Sequence, residues 1–281
     1  MIDESEDKAE GEAMDISHGI PFAQQMRVYA GTYDDVRDAG IVIITAGANQ
    51  QQGETRLDLV GKNVAIFKSI IPEITKRDFE GILLVVANPV DILTKVAMEL
   101  SGYPANRVIG SGTVLDTARL KYKLSEHLCV DSKSIHAFII GEHGDSEIVA
   151  WSSANISGIS LDAFCELRGH FHHKEAEASI AQKVKNSAYE IISRKRATYF
   201  GVAMAVKRIC EVIVRDERSI LPVSTAMTGA YGIDGVVLSM PCVVGRNGIE
   251  TQVPIVLTDD EIKDLQKSAD TLKEIYNTIN I

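Results

Sequence analysis

The chain has 281 residues, 45% hydrophobic and 24% charged, which is enough apolar material for a large core in one or two domains. A net charge of −10 and a pI near 5.2 exclude nucleic acid or an anionic membrane as a partner held by bulk electrostatics, so an anionic ligand would need locally placed arginines. The sequence carries no apolar run of the ~20 residues that span a bilayer. Cys129, Cys165, Cys210 and Cys242 form no CxxC pair, which argues against a zinc ribbon or disulfide framework and for a reducing cytosol.

In chain order, Asp7 to Ser17 is expected to be an amphipathic helix with Ala9, Ala13 and Ile16 inward, and Met26 to Ala30 a strand. Ile41 to Thr45 and Ile82 to Ala87 are nearly continuously apolar, as strands covered on both faces are. Leu57 to Lys76 between them is helical, and Arg107 to Ile109 closes a parallel α/β sheet. From Ser111 the pattern changes to a helix reaching His127, strands near Ser134 to Ile140 and Glu147 to Trp151, and a long helical region from Lys174 to Arg215. Ser219 to Thr228, Gly235 to Val244 and Gln252 to Leu257 read as antiparallel strands before a final helix from Asp259 to Thr278, capped by Thr258. The change of pattern predicts a division into residues 1–110 and 111–281.

The most informative stretch is Gly141-Glu142-His143-Gly144-Asp145, just after a predicted strand. Histidine alone has an unperturbed pKa, about 6.5, suited to giving and taking a proton near neutrality. Asp116 and Arg119 lie three apart on one helical face, which allows an ordinary intrahelical ion pair or a carboxylate and a guanidinium offered together to a ligand. Asn88, before Pro89, ends a strand where open α/β sheets place ligand groups, and Arg56 closes a polar loop containing Gly53. The His170-Phe171-His172-His173 run is read as solvated with no metal bound. Ser146 lacks the Gly-x-Ser-x-Gly elbow of a hydrolase.

Taken together, AGANQ, GETRLDLV, NPVDIL, VIGSGTVLDTAR, IGEHGDSE, KRATYFGVA and VSTAMTGAYG follow one another in the order of a known family. The chain resembles the lactate/malate dehydrogenase family nearly end to end. The resemblance implies a doubly wound Rossmann sheet binding NAD, followed by an α+β substrate domain. The family opens with a strand, a Gly-x-Gly-x-x-Gly turn and a helix, whereas this chain begins at Met1-Ile2-Asp3, so an N-terminally truncated NAD domain is expected, with Asp3 facing the adenosine ribose. Ala46, Gly47 and Asn88 are expected on the cofactor.

The resemblance further implies hydride transfer to pyruvate giving L-lactate, with His143 as general acid/base, Asp116 orienting it, and Arg56 polarising the keto carbonyl as the loop closes. Arg119 would grip the substrate carboxylate, Asn88 the carbonyl, and Gln50 and Thr198 would line the pocket for the substrate's variable end. A neutral Gln50 argues for lactate over malate. Arg196 departs from the glycine usual there, and Gln51 and Gln52 replace a common Lys-Pro pair. Lys121 and His136 match positions that bind fructose 1,6-bisphosphate in activated members, and a homotetramer in the cytoplasm, serving glycolysis and fermentation, is expected. A malate-type 2-hydroxy acid dehydrogenase and a noncatalytic fragment unable to hold NAD remain the alternatives.

Overall fold

The computed structural model describes residues 1–48 and 56–279, the side chain of Arg56 excepted. Helix α1 (Glu6–His18) starts where the Ser5 hydroxyl accepts from the Lys8 N–H, with Glu6 and Asp7 in its first turn. Ala9 and Ala13 are buried, but Ile16 is exposed, so the expected apolar stripe is only partly covered. The expected strand over Met26 to Ala30 does not form, and residues 23–32 have no regular structure. A strand needs a ladder, and here the backbone exchange is with one residue, Met1, whose ammonium donates to the Tyr29 carbonyl at 2.6 Å and whose carbonyl accepts from Gly31 at 2.7 Å.

Strand β1 (Ile41–Ile44), helix α2 (Arg56–Thr75), β2 (Ile82–Val85), α3 (Val90–Ser101) and β3 (Val108–Gly110) form the alternating α/β half. β1 pairs with β2 and β2 with β3, both parallel. Of the two strands expected to be covered on both faces, β2 is buried throughout, whereas on β1, at the sheet edge, Ile43 is 43% exposed. Leu83 and Leu84 are fully buried, each contributing about 1.5–3 kcal/mol on opposite faces of the sheet.

Helix α4 (Val114–Leu128) follows, then the short β4 (Ile135–His136), β5 (Ile139–Ile140) and β6 (Ile148–Val149). The strands expected over Ser134 to Ile140 and Glu147 to Trp151 are therefore broken into pieces, with β4 and β5 in different sheets and Trp151 opening a 3-10 turn. Next come β7 (Asn155–Ile156), β8 (Ile159–Ser160) and α5 (Leu161–Leu167). The predicted long helical region is two helices, α6 (His173–Lys195) and α7 (Phe200–Arg215). Arg196 separates them by ending α6 in the left-handed region at φ 71°.

Strands β9 (Ser219–Thr228), β10 (Asp234–Gly245) and β11 (Gly248–Gln252) form an antiparallel meander, and α8 (Asp259–Tyr276) ends the fold. Beyond Gln252 the expected strand to Leu257 is irregular. The Thr258 and Glu261 side chains each bond the other's backbone N–H, a reciprocal cap that starts α8. The six-stranded order β1-β2-β3-β9-β10-β11 joins the two halves through Gly110 opposite Ser224. That junction brings β9 and β10 beneath the His143 loop, since Gly141 and Ser239 exchange backbone hydrogen bonds at 2.9 and 2.8 Å.

Candidate active site

The position of Asp116 follows from two threonines four residues apart, Thr113 at the N-cap of α4 and Thr117 in its first turn. Thr113 Oγ1 donates to the Ile139 carbonyl at 2.5 Å, and Thr117 Oγ1 accepts from the Ile139 N–H at 2.9 Å. Both backbone groups of one β5 residue are thereby satisfied by α4, which sets the helix against the strand four residues before His143. Gly112, at φ 53°, makes the turn into α4, and a Cβ there would meet the Ser224 backbone nitrogen at 2.6 Å.

Across this joint, His143 Nδ1 lies 2.5 Å from Asp116 Oδ2, and Arg119 Nη1 donates to Asp116 Oδ1 at 2.7 Å. The expected intrahelical ion pair therefore exists, and the same carboxylate also reaches the imidazole, one oxygen for each partner. Asp116 is buried, whereas the His143 side chain is 25% exposed and that of Arg119 16%. Nε2 of His143 is thus the ring nitrogen left for a ligand, and a guanidinium has donors beyond the one spent on Asp116.

Electrostatics favour a charged imidazole. Burial pulls the His143 pKa down, but the charge and hydrogen bond of Asp116, with the Asp91 and Glu147 carboxylates, outweigh it and hold the group at about 9. Asp116 is pushed up by burial and brought lower overall by His143 and Arg119. Glu147 is raised to about 8, first by burial and then by the Asp116 charge.

The loop itself is fixed by groups that the sequence reading missed. The His143 N–H donates to Asp91 Oδ2 at 2.7 Å, and Glu142, buried, accepts from Ser146 Oγ at 2.5 Å while its N–H donates to Ser268 Oγ at 3.0 Å. Ser146 is therefore spent on a structural bond, in keeping with its rejection as a nucleophile. A carboxylate in the apolar first turn of α3 and a serine on the buried face of α8 are polar residues at core positions, and that was the available signal.

On the other side of the site, the carboxyl ends of β1 and β2 converge. Buried Asn63 of α2 links them, its Oδ1 accepting from the Ala48 N–H and its Nδ2 donating to the Asn88 carbonyl, both at 2.7 Å. A Cβ on Gly47 would press on Ala87 Cβ at 3.3 Å, and the Ala46 and Gly47 backbone is exposed at the strand end. The Asn88 side chain is exposed, and its bond to Pro89 is cis. These features fit the nicotinamide end of a dinucleotide, which needs close backbone approach and an amide partner at parallel strand ends. Asp3 accepts from the Ser5 N–H and pairs with Lys8 at 2.9 Å, which lowers its pKa, so ribose hydroxyls would share this carboxylate.

Other predicted residues lie apart or beyond view. Gln50, with Gln51 and Gln52, falls outside the described residues; Arg56 opens α2, but its side chain is likewise outside them. Thr198 is half-buried in the joint between α6 and α7, and that joint rests on α4 where Gly201 approaches Leu115, whose Cδ1 would lie 3.0 Å from an added Cβ. Lys121 on α4 is half-buried with its pKa lowered by that burial, and His136 is exposed on β4. The histidine run is less solvated than expected. His173 is largely covered, its Nε2 3.4 Å from Asp162 Oδ1, and Lys174 bridges Asp162 and Glu177 beside it.

Comparison with known proteins shows the family. Family models described as the lactate/malate dehydrogenase NAD binding domain and its alpha/beta C-terminal domain match residues 1–110 and 113–280. An L-lactate dehydrogenase of Acetivibrio thermocellus is 54% identical over the whole chain and 89% of its own length. L-lactate dehydrogenase 1 of Clostridium acetobutylicum is 52% identical over 99% of the chain and 89% of its length. The ligand-bound crystal structure of the minor L-lactate dehydrogenase from Enterococcus mundtii superposes with a TM-score of 0.96 at 41% identity, covering 100% of this chain and 89% of that one. The chain belongs to the lactate/malate dehydrogenase family, on its L-lactate dehydrogenase side, and is an NAD-dependent oxidoreductase.

Proposed function

We propose that the chain interconverts pyruvate and L-lactate with His143 as the proton donor and acceptor, Asp116 as its orienting partner and Arg119 as the carboxylate grip. The observation that carries this reading is the single buried carboxylate of Asp116 bonded to both His143 and Arg119. NADH, when bound, supplies the hydride. His143, held as the imidazolium, donates from Nε2 to the keto oxygen, and in the reverse direction the neutral ring takes the hydroxyl proton. Arg119, steadied by Asp116, presents its planar fork to the two oxygens of the substrate carboxylate. Asn88 bonds the carbonyl side and Thr198 bounds the pocket from the α6–α7 joint; by the family resemblance, Arg56 polarises the carbonyl and Gln50 sets preference for a methyl group. Ala46, Gly47 and Asp3 contact the cofactor.

Titration calorimetry with NADH, followed by NADH oxidation with pyruvate or oxaloacetate, tests this directly. Binding and turnover with pyruvate well above oxaloacetate are expected, and Gln50→Arg should raise oxaloacetate turnover; absence of pyruvate turnover contradicts the assignment.

The finer expectations belong to the same proposal. The NAD-binding part takes residues 1–110 and the substrate part 111–281. Phe22, Phe200 and Met204 are exposed, which supports a homo-oligomer, a tetramer by family resemblance. Light scattering of the purified chain checks its mass. Weak fructose 1,6-bisphosphate activation through Lys121 and His136 rests on the family resemblance, and an unchanged pyruvate KM on adding the bisphosphate would remove that part. No helix among the described residues is long and apolar enough to cross a membrane; a cytoplasmic place in glycolysis and fermentation rests on the family resemblance.

A further inference from the structure

Asp91 is a buried charged group just outside the His143–Asp116–Arg119 cluster. It sits in the first turn of α3 at 2% exposure, three residues after Asn88. Its Oδ2 accepts from the His143 N–H at 2.7 Å, and its Oδ1 accepts from Ser224 Oγ at 2.7 Å and Ser239 Oγ at 3.4 Å. Ser224 and Ser239 face each other across β9 and β10, and both are fully buried. Ser239 also exchanges both backbone bonds with Gly141, so it holds the loop directly and through Asp91. The Asn88 carbonyl is held in turn by Asn63.

A neutral acceptor would suffice to anchor one backbone N–H. A buried carboxylate is costly unless compensated, which makes its presence here informative. Burial is the largest influence and raises the Asp91 carboxyl overall, with the Ser224 hydroxyl, the His143 N–H, the His143 charge and Ser239 offsetting part of that rise; the ionised carboxylate and the protonated imidazole favour each other. The other charged groups acting at His143 are Asp116 from α4 and Glu147 from its own loop; Arg119 of α4 acts on both of those carboxylates, and Lys185 of α6 on Glu147.

We propose that Asp91 is a positioning residue for proton transfer, its carboxylate fixing the His143 loop to the helix turn that follows Asn88 and favouring the charged imidazole. One short rigid element then sets both the group at the carbonyl and the group that moves the proton. This rests on the assignment of His143 above.

The test is an NMR titration of the His143 ring in the full chain, for wild type, Asp91→Asn, Asp91→Ala and the Ser224→Ala/Ser239→Ala pair, alongside pyruvate kinetics and melting temperature. In Asp91→Asn the amide oxygen can accept from His143 while its nitrogen donates to a serine hydroxyl, so the loop is kept and the charge is lost. The His143 midpoint is expected to fall by about one pH unit, with kcat/KM for pyruvate down about tenfold at alkaline pH through KM. Asp91→Ala also loses the anchor, and kcat/KM should drop about 10²-fold through kcat as well. Should neither Asp91 variant fold, the serine pair must lower the midpoint in the same direction, because stripping the hydroxyls weakens the Asp91 charge. An unmoved midpoint in the folded variants overturns the proposal, including the case where activity falls only in step with melting temperature. Wild type without pyruvate turnover would instead sink the assigned reaction, while the ring titration would still judge Asp91.

Discussion

The His143 loop and the β1 edge both follow short apolar strands, yet one is held by buried polar bonds from several elements and the other leaves Ile43 open to solvent. Around His143, Asp91, Asp116 and Ser268 arrive from α3, α4 and α8; Asp91 and Ser268 hold the adjacent backbone N–H groups of His143 and Glu142, and Asp116 holds the imidazole. Precise placement therefore comes from charge and hydrogen bonding in a dry setting, whereas β1 depends on a single parallel neighbour. The contrast predicts where substitutions will hurt.

The largest loss is expected for Asp116→Asn, which removes the charge from His143 and frees Arg119 at once; kcat/KM for pyruvate should fall about 10³-fold. Arg119→Lys keeps the charge but loses the fork, and a rise of about 10- to 100-fold in pyruvate KM with a smaller change in kcat is expected. A KM that stays put would move the carboxylate grip elsewhere.

Stability should follow pH through the same pair. His143 is raised to about 9 from an ordinary value near 6.5, so its stabilisation is fully present below that ordinary value and is lost as pH rises through 9. Asp116 is lowered, so its share is present above the ordinary carboxylate range and is lost as pH falls through its depressed pKa. Urea melts should show a loss on the order of 2 kcal/mol between pH 7 and pH 10 that is absent in His143→Gln.

Smaller effects belong to backbone and edge. Arg196 ends α6 at φ 71°, a conformation that disfavours a side chain, and Arg196→Gly should gain about 0.5–1 kcal/mol in urea melts. That conformation gives a physical reason for the glycine usual at this position, independent of any contact with substrate. At the β1 edge, Ile43→Thr should change stability by no more than about 0.5 kcal/mol. A loss of several kcal/mol there would mean that something covers this edge in solution.

The same contrast explains what could be read from the sequence. Local signals were legible: Thr258 capping α8, the limits of β9, and the His143, Asp116 and Arg119 triplet, whose spacing and family resemblance both pointed to one site. Features that depend on distant partners were not. Met26 to Ala30 has strand composition but no ladder, and a helix pattern running through Arg196 hides the left-handed residue that splits it. Asn63, Asp91 and Ser268 went unnoticed because a buried polar residue in an apolar stretch acquires a meaning only once its partner is known.

The most direct test of the central claim is the pH profile of kcat/KM for pyruvate in wild type and Asp116→Asn. If His143, held charged by Asp116, delivers the proton, the wild-type profile holds up to about pH 9 and falls above it. The Asp116→Asn limb should then move down toward the ordinary histidine value near 6.5. A limb that stays in place when the Asp116 charge is gone would contradict the account.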